Sequence, residues 1–62
     1  MNEQIIALLK QNKINLTNSY LRLVWDNSDQ EWVVWAEIIR FEPSLRYSGT
    51  DFSEALKALQ ED

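Results

Sequence analysis

The 62-residue sequence predicts an α+β domain in the order α-β-β-β-α, with a three-stranded antiparallel meander and two helices packed on one face. Three observations predict this class. Apolar residues recur at helical spacing near both ends of the chain. Two central segments are rich in β-branched and aromatic residues, and turn-forming residues separate them. The length allows one domain at most, so residues 1–62 are expected to form a single domain.

The first helix is predicted from Asn2 to about Asn12, because the apolar side chains of this segment form a one-sided stripe. Asn2 suits the N-cap, and Asn12 suits the C-terminal stop. The stripe comprises Ile5, Ile6, Leu8 and Leu9. Beyond it, Ile14 and Leu16 are expected to anchor a linker that leads to a turn at residues 17–19.

Two longer strands are predicted over Tyr20 to Asp26 and Glu31 to about Phe41, with a hairpin turn between them. A break follows around Pro43, because proline cannot donate a hydrogen bond to a central ladder. A short third strand is then predicted over Leu45 to Ser48, closing at Gly49, the single glycine of the chain.

The last helix begins with a capping signature. Asp51 is followed three residues later by Glu54, the spacing of a capping box, and Thr50 is an alternative cap. One buried stripe at positions i, i+3, i+4 and i+7 is predicted from Phe52, Ala55, Leu56 and Leu59.

The register of the central hairpin decides where the tryptophans lie, because side chains alternate between the two faces of a strand. A four-residue loop over Asn27 to Gln30 places Trp25 opposite Trp32. A five-residue loop instead places Glu31 and Glu37 among apolar residues, and an unpaired buried carboxylate is costly. We therefore expect an apolar core face of Leu21, Leu23, Trp25, Trp32, Val34, Ala36 and Ile38, to which the helices add Leu8, Leu9, Leu56 and Leu59.

The opposite face of the hairpin is mixed and includes Trp35. Both helices are needed on the core face, so nothing in the sequence is predicted to cover this one. The candidate partner-binding residues are Tyr20, Arg22, Val24, Val33, Trp35 and Glu37, with Ile39 and Phe41 further along the strand. Leu45 and Tyr47 can continue either face. Three interpretations stay open: an ordinary exposed sheet face, self-association, and binding of a different partner.

The composition argues against an enzyme. The chain has no histidine and no cysteine, and its serines and threonines are predicted in turns and caps. We therefore expect no catalysis, no cofactor and no disulfide. The acidic residues Asp26, Asp29 and Glu31 surround a segment with partial calcium-loop spacing, but Glu31 stands where that loop needs glycine. A solvated hairpin turn is favoured, and no metal site is expected.

Charge and hydropathy narrow the partners further. The net charge of −4 disfavours binding to nucleic acid, which relies on clustered lysine and arginine. The sequence does not open with a basic leader followed by a long apolar run, which would predict a signal peptide. No apolar stretch approaches the ~18 residues of a membrane span. We therefore expect a cytoplasmic protein that binds neither nucleic acid nor membranes.

Two segments carry a family resemblance. WDNSDQEWVV covers the acidic turn and the second strand, and YSGTDFSEALKAL covers the third strand and the last helix. With them, residues 20–59 resemble the N-terminal domain of HicB-type antitoxins, although that domain begins with a strand. The resemblance implies a small non-catalytic domain that binds a toxin partner and often oligomerises. The topology is also similar to double-stranded-RNA-binding domains, but Asp51, Ser53 and Glu54 replace the basic residues of those domains.

The expected function is non-catalytic protein binding through the sheet face around Trp35. A homodimer is the simplest outcome, because a two-fold interface needs only one self-complementary patch. The alternative is a small acidic inhibitor, of phage or mobile-element type, that blocks a basic nucleic-acid-binding site on an enzyme. This alternative is suggested by the carboxylates of Asp26, Asp29, Glu31, Glu37 and Glu42. Salt should weaken the acidic mimicry steeply and the Trp35 contact little.

Overall fold

The computed structural model describes residues 2–60, which contain two helices and four strands. In chain order they are α1 (Asn2–Lys10), β1 (Leu16–Asn18), β2 (Leu21–Asp26), β3 (Glu31–Ala36), β4 (Ser44–Gly49) and α2 (Phe52–Gln60). The strands form one antiparallel sheet in the order β1-β2-β3-β4. The predicted α+β class is confirmed, but the predicted three-stranded meander lacks β1. The predicted domain also included Met1, Glu61 and Asp62, which lie outside the described residues.

Strand β1 replaces a predicted linker and turn. Leu16, Thr17 and Asn18 pair with residues 23, 22 and 21 of β2. The two-residue loop Ser19-Tyr20 joins the strands, and Ser19 has a φ of 59°. Tight hairpin loops need a positive φ at this position and usually place glycine or asparagine there. Serine gives no such signal, and three residues are too few to display a period of two.

Strand β3 ends at Ala36 rather than at about Phe41. The neighbouring strand β2 has no further residue to pair with, because the chain has already turned toward β1. Only the Glu37 N–H continues the ladder, donating to the Tyr20 carbonyl at 2.7 Å. The longer strand predicted from β-propensity is therefore wrong, because β2 offers no further residues for pairing. As a consequence Ile38, predicted in the core, is 46% exposed.

Strand β4 extends the predicted third strand by one residue at each end and contains a β-bulge. Leu45 pairs with Trp35 and Tyr47 pairs with Val34, so Arg46 is an extra residue on β4. The bulge places Leu45 on the open face and Tyr47 on the core face. Without it, two residues spaced by two would share a face.

The core lies between one face of the sheet and both helices, as predicted. The four-residue loop is confirmed, with Trp25 opposite Trp32. The buried core residues are Leu9, Leu21, Leu23, Trp32, Val34, Ala36, Ala55 and Leu59. Leu56 packs against this cluster, whereas Leu8, predicted in it, is 37% exposed. Leu9 and Ile6 occupy the inward side of the short helix α1, which leaves Leu8 turned away from the sheet.

An aromatic row closes one side of the core. The rings of Trp25 and Trp32 meet edge to face, with centroids 4.7 Å apart. Trp32 in turn lies 4.8 Å from the ring of Phe52 on α2. The Lys10 ammonium of α1 lies 4.8 Å from the Trp25 ring centroid. The predicted tryptophan pair therefore also contacts both helices, and such aromatic pairs contribute about 0.5–1.5 kcal/mol beyond area burial.

The start of α2 is fixed by side-chain hydrogen bonds. Asp51 Oδ1 accepts from the backbone N–H groups of Ser53 at 2.9 Å and Glu54 at 3.3 Å. Asp51, and not Thr50, is therefore the N-cap. The Asp51 N–H donates to the Tyr47 hydroxyl at 3.3 Å. In a full capping box it would donate to the side chain of Glu54 instead.

Helix α1 ends at Lys10, and Asn12, the predicted stop, is the left-handed residue just beyond that end. Asn12 adopts a left-handed φ of 58°, and its N–H donates to the Leu9 carbonyl at 3.0 Å. The N–H of Lys13 donates to the Leu8 carbonyl, also at 3.0 Å. These two bonds form a Schellman motif, which satisfies carbonyls at the helix end. The predicted cap by the Asn2 side chain lies outside what the structure describes.

Candidate functional site

The open face of the sheet, opposite the helices, carries a row of side chains that crosses all four strands. Thr17, Arg22, Trp35 and Leu45 are successive cross-strand partners from β1 to β4. The Cβ atoms of such partners lie about 4.5–5.5 Å apart. Arg22 pairs with Trp35, as the four-residue hairpin loop requires, and the bulge in β4 adds Leu45, which is 53% exposed.

A second row on the same face is more protected. Val33 pairs with Val24 on one side and with Ser48 on the other. Val33 lies in an interior strand and is only 6% exposed, although no helix covers it. Val24 is half-buried. Both were predicted as contact residues, but Val33 offers little surface and serves mainly to support its neighbours.

Tyr20 differs from its predicted place beside Trp35. It belongs to the β1–β2 loop, is half-buried and packs against the core cluster. The Arg46 guanidinium lies 6.0 Å from its ring centroid, at the outer limit of a cation–π contact. Tyr20 therefore lies outside the group of residues that surrounds Trp35.

A recess of about 580 Å³ opens beside Trp35. Its lining residues are Arg22, Trp35, Glu37, Glu42 and Pro43. Three of them were predicted site residues, whereas Pro43 was predicted only as a strand break and Glu42 only as a carboxylate of the inhibitor alternative. We call this feature the Trp35 recess. It is shallow and open to solvent, unlike the enclosed pockets that bury most of a small ligand. Its shape suits a protruding group of a protein partner.

An ion pair forms one wall of the Trp35 recess. Arg22 Nη2 donates to Glu37 Oε2 at 2.7 Å, and both side chains are about 40% exposed. Exposed pairs of this kind contribute about 0–1 kcal/mol, so its main effect is to hold both side chains in place. The Arg22 Nε is buried and has no hydrogen-bond partner among the described residues.

The β3–β4 loop, residues 37–43, adds a group of exposed apolar side chains to this end of the sheet. Ile39 is 88% exposed and Phe41 is 73% exposed. The backbone is held in a turn by the Phe41 N–H, which donates to the Ile38 carbonyl at 3.0 Å, and Arg40 has a φ of 78°. Together with the Trp35 recess, this group forms what we call the interaction surface; its exposed apolar members are Ile38, Ile39, Phe41 and Leu45.

The acidic residues that motivated the inhibitor alternative are divided between the two ends of β3. Asp26 and Glu31 pair beside the β2–β3 turn, whereas Glu37 and Glu42 line the Trp35 recess. The six residues of β3 separate the two groups by roughly 20 Å. Asp26 is also engaged within the turn, where its Oδ1 accepts hydrogen bonds from the backbone N–H groups of Ser28 and Asp29. The five carboxylates therefore form no single acidic stripe.

Within residues 2–60, no three His, Cys, Asp or Glu side chains are grouped in a way that could hold a metal ion. Neither helix of this described part is long and apolar enough to cross a membrane. No protein-family model, curated protein or solved structure matches the chain. The chemistry of the interaction surface is thus the basis for any assignment of function.

Proposed function

We propose that this chain is a non-catalytic protein-interaction domain that binds its partner through the interaction surface. The observation that supports this most strongly is the exposure of four large apolar side chains, three in the β3–β4 loop and one, Leu45, on β4 opposite Trp35. Monomeric proteins rarely leave a contiguous apolar patch of several hundred Å² in water unless it serves binding.

The composition of the surface also supports protein binding. Trp and Arg are the residues most enriched at binding hot spots, and Trp35 lies opposite Arg22. Hot spots are effective where a ring of neighbouring contacts excludes water from them. Glu42 and Pro43 line the recess with Trp35, and Leu45 is its partner on β4; under this proposal these residues form that rim.

The resemblance to HicB-type antitoxins suggests the class of partner. A domain of that kind binds a small protein toxin and often assembles with further copies of itself. Under this proposal, the interaction surface would contact either a toxin-like protein or a second copy of the chain.

A capture experiment with matched variants tests the proposal. Trp35→Glu places a carboxylate in the Trp35 recess, beside Glu37 and Glu42. Leu8→Glu is the matched control, because Leu8 is an exposed apolar residue on α1, away from the open face. The immobilised wild-type and control chains should retain the same proteins, either purified copies of the chain or proteins from a cell extract. The folded Trp35→Glu variant should not retain them. Retention by all three chains would contradict the proposal.

Salt distinguishes this proposal from the acidic-inhibitor alternative. Apolar contacts at the interaction surface should persist when salt rises, because burial of apolar area is not screened. Binding by carboxylate mimicry should fall steeply over the same range. Loss of all captured protein at about 0.5 M salt, where screening extends over only a few ångströms, would favour the inhibitor.

A further inference from the structure

We infer that the occupant of the interaction surface is a second copy of this chain, related by a two-fold axis that passes beside Phe41. The inference rests on the proposed function, because it names the partner of the same surface. Three features lead to it: the balance of charge, the pairing pattern of the β3–β4 loop, and the exposed apolar area.

The charges of the interaction surface cancel, whereas the chain as a whole is acidic. Arg22 and Arg40 supply two positive charges, and Glu37 and Glu42 supply two negative charges, which sum to zero. The whole chain carries −4. Electrostatic repulsion between two copies is therefore weakest when they approach through their interaction surfaces.

The β3–β4 loop carries charges arranged for reciprocal pairing. The ion pairs within residues 2–60 join Arg22 to Glu37 and Glu54 to Lys57, which leaves Arg40 and Glu42 unpaired. In a two-fold interface, residue i meets residue j while j meets i. If Phe41 lies next to the axis, Arg40 of each copy meets Glu42 of the other, and the two Phe41 rings meet each other.

The exposed area matches what a two-fold dimer needs. A standard interface buries about 800 Å² on each partner, roughly a sixth of the 4645 Å² surface of this chain. Ile38, Ile39, Phe41 and Leu45 together offer on the order of 400 Å² of apolar surface at their observed exposures. The exposed charged side chains of the same surface, Arg40 and Glu42 among them, add polar area to this apolar area.

A charge exchange in trans tests the pairing. Arg40→Glu leaves two carboxylates on the loop, and Glu42→Arg leaves two cations. Each variant alone should weaken the dimer at least about tenfold, because like charges then face each other across the axis twice. An equimolar mixture should form a heterodimer with an affinity within about threefold of the wild type, because both cross-axis pairs are restored.

Native mass spectrometry distinguishes the species, because the two variants differ in mass. Lys13→Glu and Asp29→Arg serve as controls, since they alter net charge equally at exposed residues outside the surface. Both controls should dimerise like the wild type. Circular dichroism must show that every variant is folded; Arg40→Glu keeps a β-carbon at the positive-φ position and so does not change its backbone preference.

Three results would overturn the inference: a wild type that stays monomeric up to about 1 mM, single variants that dimerise like the wild type, or a mixture that remains monomeric. Failure of this inference differs from failure of the proposed function. If the wild type is monomeric and Trp35→Glu still abolishes capture of another protein, only the second-copy assignment fails. If Trp35→Glu has no effect on any capture, both fail.

Discussion

Replacing Gly49 with alanine is predicted to loosen the start of α2. Gly49 does not have a positive φ, so glycine matters here because it lacks a Cβ and not because of its backbone conformation. A Cβ at this position would lie 2.6 Å from the Tyr47 hydroxyl oxygen and 3.0 Å from Cζ of the same ring. Real Cβ atoms essentially never approach that closely, so the Tyr47 phenol must move.

The magnitude follows from the bonds that this movement breaks. The Tyr47 hydroxyl lies 3.3 Å from the Asp51 nitrogen and 3.2 Å from the Asp51 carbonyl oxygen. Two exposed hydrogen bonds contribute about 1–2 kcal/mol together. Alanine restricts the unfolded chain and returns about 0.4–1 kcal/mol. The free energy of unfolding should therefore fall by about 1 kcal/mol, which lowers Tm by roughly 4–8 °C in a domain of this size.

Thermal and urea unfolding of a double-mutant cycle provide the test. Tyr47→Phe already removes the hydroxyl and its two bonds, so Gly49→Ala should cost less in that background than in the wild type. Contacts that share a partner couple by about 0.5–3 kcal/mol. If the two substitutions are additive within about 0.3 kcal/mol, or if Gly49→Ala stabilises the wild type, the reasoning is refuted.

Three further predictions concern turns and helix ends. Gln30→Gly should change the free energy of unfolding by less than about 0.5 kcal/mol, because glycine adopts the φ of 58° without strain but loses the hydrogen bond that Gln30 Nε2 donates to the Asn27 carbonyl at 2.7 Å; a change above about 1 kcal/mol in either direction, measured in urea, would contradict this balance. Asn18→Asp should destabilise by about 1–2 kcal/mol, since Asn18 Nδ2 donates to the Leu59 carbonyl at 2.8 Å and a carboxylate there opposes the dipole of α2. Asn18→Ser, a neutral comparison, should cost less. Asn12→Ala should lower Tm and Asn12→Gly should not, because the Schellman position favours residues that tolerate the left-handed region; equal Tm values would show that this helix end contributes no strain.

The sequence predicts most of the fold where its patterns are long. The face of each tryptophan could be deduced because only one hairpin register keeps Glu31 away from the apolar face, and that register is observed. Asp51 and Asn12 were likewise predictable, since capping depends on local hydrogen bonds. The strand β1 was not, because it exists only through its pairing with β2 and its loop begins with Ser19 instead of glycine.

The candidate site was predictable in part, and the difference has a physical cause. Arg22, Trp35 and Glu37 follow from alternation along two strands, and the structure brings them together at one recess. Glu42 and Pro43 line the same recess because the chain turns back after β3 runs out of a partner strand. Leu45 joins the open face through a bulge. Pro43 predicts a break, but neither the end of β3 at Ala36 nor the bulge has a signature in a single sequence, since both depend on contacts between strands.

Sedimentation equilibrium of the wild type beside Trp35→Glu and Leu8→Glu tests the interaction surface most directly, with circular dichroism confirming that all three are folded. The wild type and Leu8→Glu should be dimers, and Trp35→Glu should be a folded monomer. A folded Trp35→Glu variant that dimerises as strongly as the wild type would contradict the assignment of the open sheet face as the interaction surface.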